Sequence, residues 1–131
     1  MSTVIDLLDA LRTHLNDFEL PPLGSVHLTT YSGGAQVSLQ LATHHLSEIA
    51  RGLLAWADTL TETTVEAWRV PDGGSIHLSV AGRLSEGIQA QVYGTLPCAE
   101  RGIGATLAPG ANTTLPLAIL RHLATPGEVI L

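Results

Sequence analysis

At 131 residues the chain is long enough for one hydrophobic core and too short for two comfortable domains, so one α+β domain over 1–131 is expected. Charged residues make up 14% of it, against about 25% in a typical soluble domain, which leaves surface normally given to Lys and Glu apolar or neutral. The twelve acids outnumber six bases, all arginine (Arg12, Arg51, Arg69, Arg83, Arg101 and Arg121) and scattered; with no basic stripe to neutralise phosphates, nucleic acid is not an expected partner.

Cys98 stands alone, so no internal disulfide can form, and Asp6, Asp9 and Arg12 interrupt any apolar export signal. Gly102 to Leu120 carries no charge, but Gly104, Pro109, Gly110 and Pro116 break it as a membrane helix. A cytoplasmic protein with no membrane association is expected.

In chain order, Val4, Leu8, Leu11, Leu15 and Phe18 recur at steps of three and four and predict a helix over 4–18 with that stripe inward. Thr3 can cap it, and Asp6 suits the positive end of the helix dipole. Pro21-Pro22 ends the segment.

A phrase then appears that the chain uses twice: Gly24-Ser25-Val26-His27-Leu28-Thr29 and, fifty residues on, Gly74-Ser75-Ile76-His77-Leu78-Ser79. In each copy the even-numbered residues are apolar and the odd ones small or polar, the alternation of a strand with one face in a core. Each leads into a second alternating run, Ala35–Leu41 and Ile88–Tyr93, so each half predicts a hairpin, the first closed by Ser32-Gly33-Gly34. Between them Leu46, Ile49, Leu53, Trp56 and Leu60, widened by Ala50, Leu54 and Ala57, predict a helix from about Thr43 lying flat on the sheet.

Thr63 to Val70 is rich in strand formers with charges on both parities, Glu66 with Trp68 and Arg69 with Val65 and Ala67, which suits an edge strand. Pro71-Asp72-Gly73-Gly74 is a turn before the second hairpin. Residues 95–112 read as a connection, followed by a short helix over 115–123 that Thr114 could cap, and an apolar tail packed on its own domain or on a partner. The element order α-β-β-α-β-β-β-α suggests a weak internal αββ duplication. The expected architecture is a five-stranded antiparallel sheet with its two main helices on one face, a core over 3–94, and the loop, short helix and tail over 95–131.

The outward residues of the two hairpins form the sharpest functional candidate: His27, Thr29, Tyr31, Gln36, Ser38, Gln40, Ser75, His77, Ser79, Gln89, Gln91 and Tyr93. None carries a permanent charge. A solvated sheet face normally includes Lys, Glu or Arg, so this one reads either as a wet interface with a protein or polar ligand, or as a neutral surface partly under a third helix.

Catalytic and metal chemistry find less support. His27 and His77 hold equivalent places in the repeat and would meet if their strands were neighbours, yet no Asp, Glu or Cys joins them. His44 and Glu48 have the i, i+4 spacing of two metal ligands, with no HExxH motif around them. Cys98 has no His partner close in sequence, and Gly102–Leu107 lacks the third glycine of a dinucleotide loop. No GxSxG elbow, P-loop or close catalytic carboxylate pair is present. No catalytic residue, metal or cofactor is therefore assigned, and the enzyme question leans towards no.

The order helix, two strands, helix, three strands, helix over residues 4–123 resembles the Roadblock/LC7 fold of small dimeric regulatory proteins, found in bacteria beside small GTPases; the resemblance is one of topology and carries no residue motif. The phrases Leu53-Leu54-Ala55-Trp56-Ala57-Asp58-Thr59-Leu60 and Glu66-Ala67-Trp68-Arg69-Val70-Pro71 are also similar to small uncharacterised proteins of actinomycetes. The expectation from all this is a non-catalytic interaction or regulatory module, self-associating as a homodimer or binding another protein. The alternative is a small-molecule binder or small enzyme with a pocket between the sheet and residues 95–112.

Overall fold

A computed structural model of the chain describes residues 3–31, 34–84, 87–97 and 107–124. In chain order the elements are α1 (Val4–Asp17), β1 (Leu23–Tyr31), β2 (Gly34–Leu41), α2 (Leu46–Ala57), β3 (Thr61–Arg69), β4 (Ser75–Arg83), β5 (Gln89–Pro97), β6 (Asn112–Leu115) and α3 (Leu117–Leu123). The α+β class is as expected. The sheet is not: it has six strands in the order β1-β2-β5-β4-β3-β6, and β2 and β5 run parallel.

The physical reason lies in α2. A helix returns the chain to the end of the sheet from which β2 started, so β3 must run parallel to β2. The tight connections that follow make β4 antiparallel to β3 and β5 antiparallel to β4. β5 then fills the gap beside β2, and its nine residues suit a central place because they carry no charge on either face.

The sixth strand comes from the segment read as a connection. β6 pairs antiparallel with β3 from Val65 opposite Leu115 to Trp68 opposite Asn112, so β3 is not the edge. Arg69 pins this return, its guanidinium donating to the carbonyls of Gly73 at 3.1 Å and Leu107 at 2.7 Å. Thr114 therefore belongs to β6, and Pro116 stands at the helix N-cap.

The repeated phrase is a repeated strand pattern, not a repeated unit of structure. β1 and β4 point the same way, yet β2 lies to one side of β1 and β5 to the opposite side of β4. With both apolar faces turned to the same core, no rotation superposes hairpins of opposite hand. The internal αββ duplication is not borne out in three dimensions.

The core fills one face. Val37, Leu39, Leu41, Val65, Ala67, Ile76, Leu78, Val80, Ala90, Val92 and Leu96 of the sheet are buried with Ile49, Ala50, Leu53 and Trp56 of α2 and Leu120 of α3. At Gly94 α2 lies close on the sheet: a Cβ there would lie 2.6 Å from Ile49 Cγ2.

The start of α1 is as read, with a capping box in which Thr3 and Asp6 satisfy each other's backbone donors. Those hydrogen bonds from Thr3 hold the Asp6 carboxyl below its ordinary value. Its buried face is a correction. Leu7, Ala10, Leu11 and His14 face inward, whereas Val4, Leu8, Leu15 and Phe18 of the predicted stripe are exposed. The turn of the helix is set by His14, whose ring stacks on Trp56 of α2 at 5.4 Å while Nε2 shares a hydrogen bond with Thr59 Oγ1 at 2.7 Å. The Thr59 hydroxyl in turn donates to the Trp56 carbonyl. A satisfied histidine can be buried where an unpaired one could not.

Candidate functional site: the helix-free sheet face

All three helices pack on the apolar face, and the alternate residues of the same strands build the other. Register places the predicted residues together. Thr29 faces Gln36 and Gln36 faces Gln89; His27 faces Ser38 and Ser38 faces Gln91; Gln40 faces Tyr93 and Tyr93 faces Ser79. His27, Thr29 and Gln89 are exposed, Gln36, Ser38, Gln40, His77, Gln91 and Tyr93 half-buried, and Ser79 buried. Tyr31 pairs with Gly34 at the end of β1, and its side chain lies outside the description.

His27 and His77 do not meet. Their strands are separated by β2 and β5, so the paired-imidazole idea fails on topology. His77 instead joins an aromatic ladder across three strands: it lies edge-on to Trp68 of β3 at 5.0 Å and stacks on Tyr93 of β5 at 5.0 Å. Burial between these rings pushes the His77 pKa down, so the imidazole favours its neutral form.

Trp68, Glu66 and Asn112 are residues of this face that the hairpin reading missed. They sit on β3 and β6, which extend the face past β4. The parity of Trp68 and Glu66 was visible in the sequence. What the sequence lacked was the neighbour relation.

Along β4 this face reads His77, Ser79, Ala81, two small residues after a ring, so the middle of the sheet is a shallow trough between β3 and β5. One depression of about 370 Å³ is lined by Glu66, Trp68, His77, Ser79, Gln91, Tyr93 and Asn112. A second of about 250 Å³ continues over Ala81 and Gly82 to Gln36, Thr64 and Gln89. The far end is closed by Arg83, which donates to Glu62 at 2.7 Å and to the Gly87 carbonyl at 2.9 Å. Glu66 is the one charged side chain lining the first depression, and among the described residues it has no ion-pair partner. The lining offers amides, hydroxyls, rings and one carboxylate, which suits hydrogen bonding and stacking and opposes an anion.

The other sequence candidates fall elsewhere. His44, His45 and Glu48 line a mostly apolar cavity of about 520 Å³ with Pro21, Pro22 and Leu41, where Thr43 donates to the Glu48 carboxylate at 2.5 Å. Among the described residues no three His, Cys, Asp or Glu come together as a metal site. Cys98, most of the Gly102–Leu107 loop and the C-terminal tail lie outside the described residues, and so does 98–106 of the segment 95–112 against which a pocket is expected. No helix among the described residues is long and apolar enough to cross a membrane. Comparison with protein-family models, with curated proteins and with solved structures finds no match, so any functional reading has to come from the geometry of this chain.

Proposed function

We propose that the chain is a non-catalytic interaction module that self-associates and offers its helix-free sheet face to a partner protein. The observation that carries this is the composition of that face: amides, hydroxyls and a three-ring ladder around a shallow trough, with Glu66 on β3, beside the outermost strand, the one charge in the lining under the rings. Interfaces are depleted of charge at their centres and enriched in aromatic residues, and this face has both properties. The lone cysteine, which allows no internal disulfide, supports a cytoplasmic location.

Light scattering tests the self-association, and a monomer at high micromolar concentration overturns it. The face is tested with Ser38→Glu/Gln91→Glu, two substitutions at half-buried neighbours. Cross-linking in the native host should yield a protein partner that the double variant no longer captures; equal capture overturns the role of the face. A second reading, a binder of a small polar molecule, is favoured by the trough over Ser79. A ligand that raises the melting temperature of wild type and not of Tyr93→Ala decides for it.

A further inference from the structure

The large apolar side chains left in water are not scattered. Among the described residues they are Val4, Ile5, Leu8, Leu15, Phe18 and Val26, between 39% and 67% exposed, and all lie on α1, at its C-cap, or on β1. His14 faces α2 through its stack on Trp56. At about 100° per residue, Val4, Leu8 and Leu15 form a stripe roughly a quarter turn further round α1. Because α1 packs over β1 and β2 while α2 packs over β4 and β5, that stripe is the flank turned away from α2, over the outer strand. Val26 sits on the same side of β1, opposite Leu39. An apolar strip therefore runs beside a strand edge that no other described residue pairs.

The two edges of the sheet are unlike. β6 has four residues, with Pro109 shortly before it and Pro116 directly after, features that deter strand addition. β1 has nine residues, Leu23–Tyr31, without a charge or a proline. Among the described residues no strand pairs with its outer backbone groups, which are left to water or to an added strand.

We propose that this edge is completed by a second copy of the chain, β1 pairing antiparallel with β1 of the copy about a two-fold axis normal to the sheet. The axis keeps both helix layers on one side, so the sheet continues across the dyad and the α1 flanks meet each other. Near such an axis each side chain faces its own counterpart, and any charge would meet its like. β1 offers none, and Asp6, Asp9 and Asp17 point to the far arc of α1, with Arg12 at the border of the stripe. The inference rests on the self-association proposed above and assigns it a surface.

The pleat requires the dyad to fall on a residue, because pairing that keeps side chains on the same side opposes positions of equal parity. In a Cys98→Ser background of the full chain, single cysteines are placed in turn from Gly24 to Thr30 and oxidised. One position should cross-link to a covalent dimer far faster than its two neighbours, since opposed strand residues lie within disulfide reach. Leu8→Glu/Leu15→Glu, both at exposed positions, should give a folded monomer by circular dichroism and weaken the dimer roughly a hundredfold, about tenfold for each buried leucine. Ser38→Glu/Gln91→Glu should leave it intact. A dimer that survives the α1 substitutions, or that cross-links at no β1 position, overturns the edge and leaves the self-association standing. A wild-type monomer overturns both.

Discussion

The two faces of the sheet are made by alternate residues of the same strands, and the difference between them is what they must touch. Leu39 and Gln40 are chain neighbours in β2: the first is fully buried under the helix layer, the second lies half-buried on the open face, accepting from Ser25 Oγ at 3.3 Å. The covered face has to fit α2 and α3 closely, so its residues are constrained by shape. The open face has no such neighbour, and its side chains are free to be selected for what they bind.

That contrast can be broken by measurement, beginning where the effect is largest. Leu39→Ala should cost about 2–5 kcal/mol in urea unfolding, the lost transfer of a buried leucine plus the cavity it leaves. Gly94→Ala adds only a methyl on the same face, but its Cβ would lie within 2.6–2.8 Å of three Ile49 side-chain atoms, and a loss of about 1–3 kcal/mol is expected as α2 is pushed outward. A neutral result would mean that the helix is less closely docked than described.

Protonation comes next and involves one histidine from each side. Burial depresses the pKa of both His14 and His77 from 6.5, with Asp17 partly opposing the shift at His14. A depressed histidine binds fewer protons folded than unfolded. Its contribution is complete above the unfolded value of 6.5 and is lost as pH falls through the window down to the folded pKa. Stability measured by denaturant should therefore fall on acidification below that point. His14→Gln and His77→Gln should each flatten part of the slope, and a slope unchanged by both would refute the assignment. Smallest of all, Gln40→Ala should alter stability by no more than about 0.5 kcal/mol, and a larger loss would show that the open face also has a structural duty.

Much of this molecule was legible in order along the chain. The Thr3 cap of α1, both hairpins and the inward stripe of α2 stand where periodicity and turn chemistry put them. The neutral face of the hairpins was also legible, because alternation assigns a side to every residue once a strand is granted. Misread features share a cause. Steps of three and four put Leu8 and Leu15 in the inward stripe of α1, whereas His14 faces inward through partners far along the chain, Trp56 and Thr59. Residues 112–115 look like a loop in isolation and become a strand only because β3 offers them an edge.

For every element but β6, local sequence determined which segments are helix or strand, and which side of each strand is apolar, since backbone preference and periodicity act over a few residues. Tertiary structure alone decided the neighbours: β5 beside β2, β6 outside β3, His27 far from His77, and Trp68 against His77 and Tyr93. Strand order follows from where α2 returns the chain and from which strand can bear burial on both edges, and those are balances over the whole sheet. The trough, the ring ladder and the bare β1 edge all arise from that order.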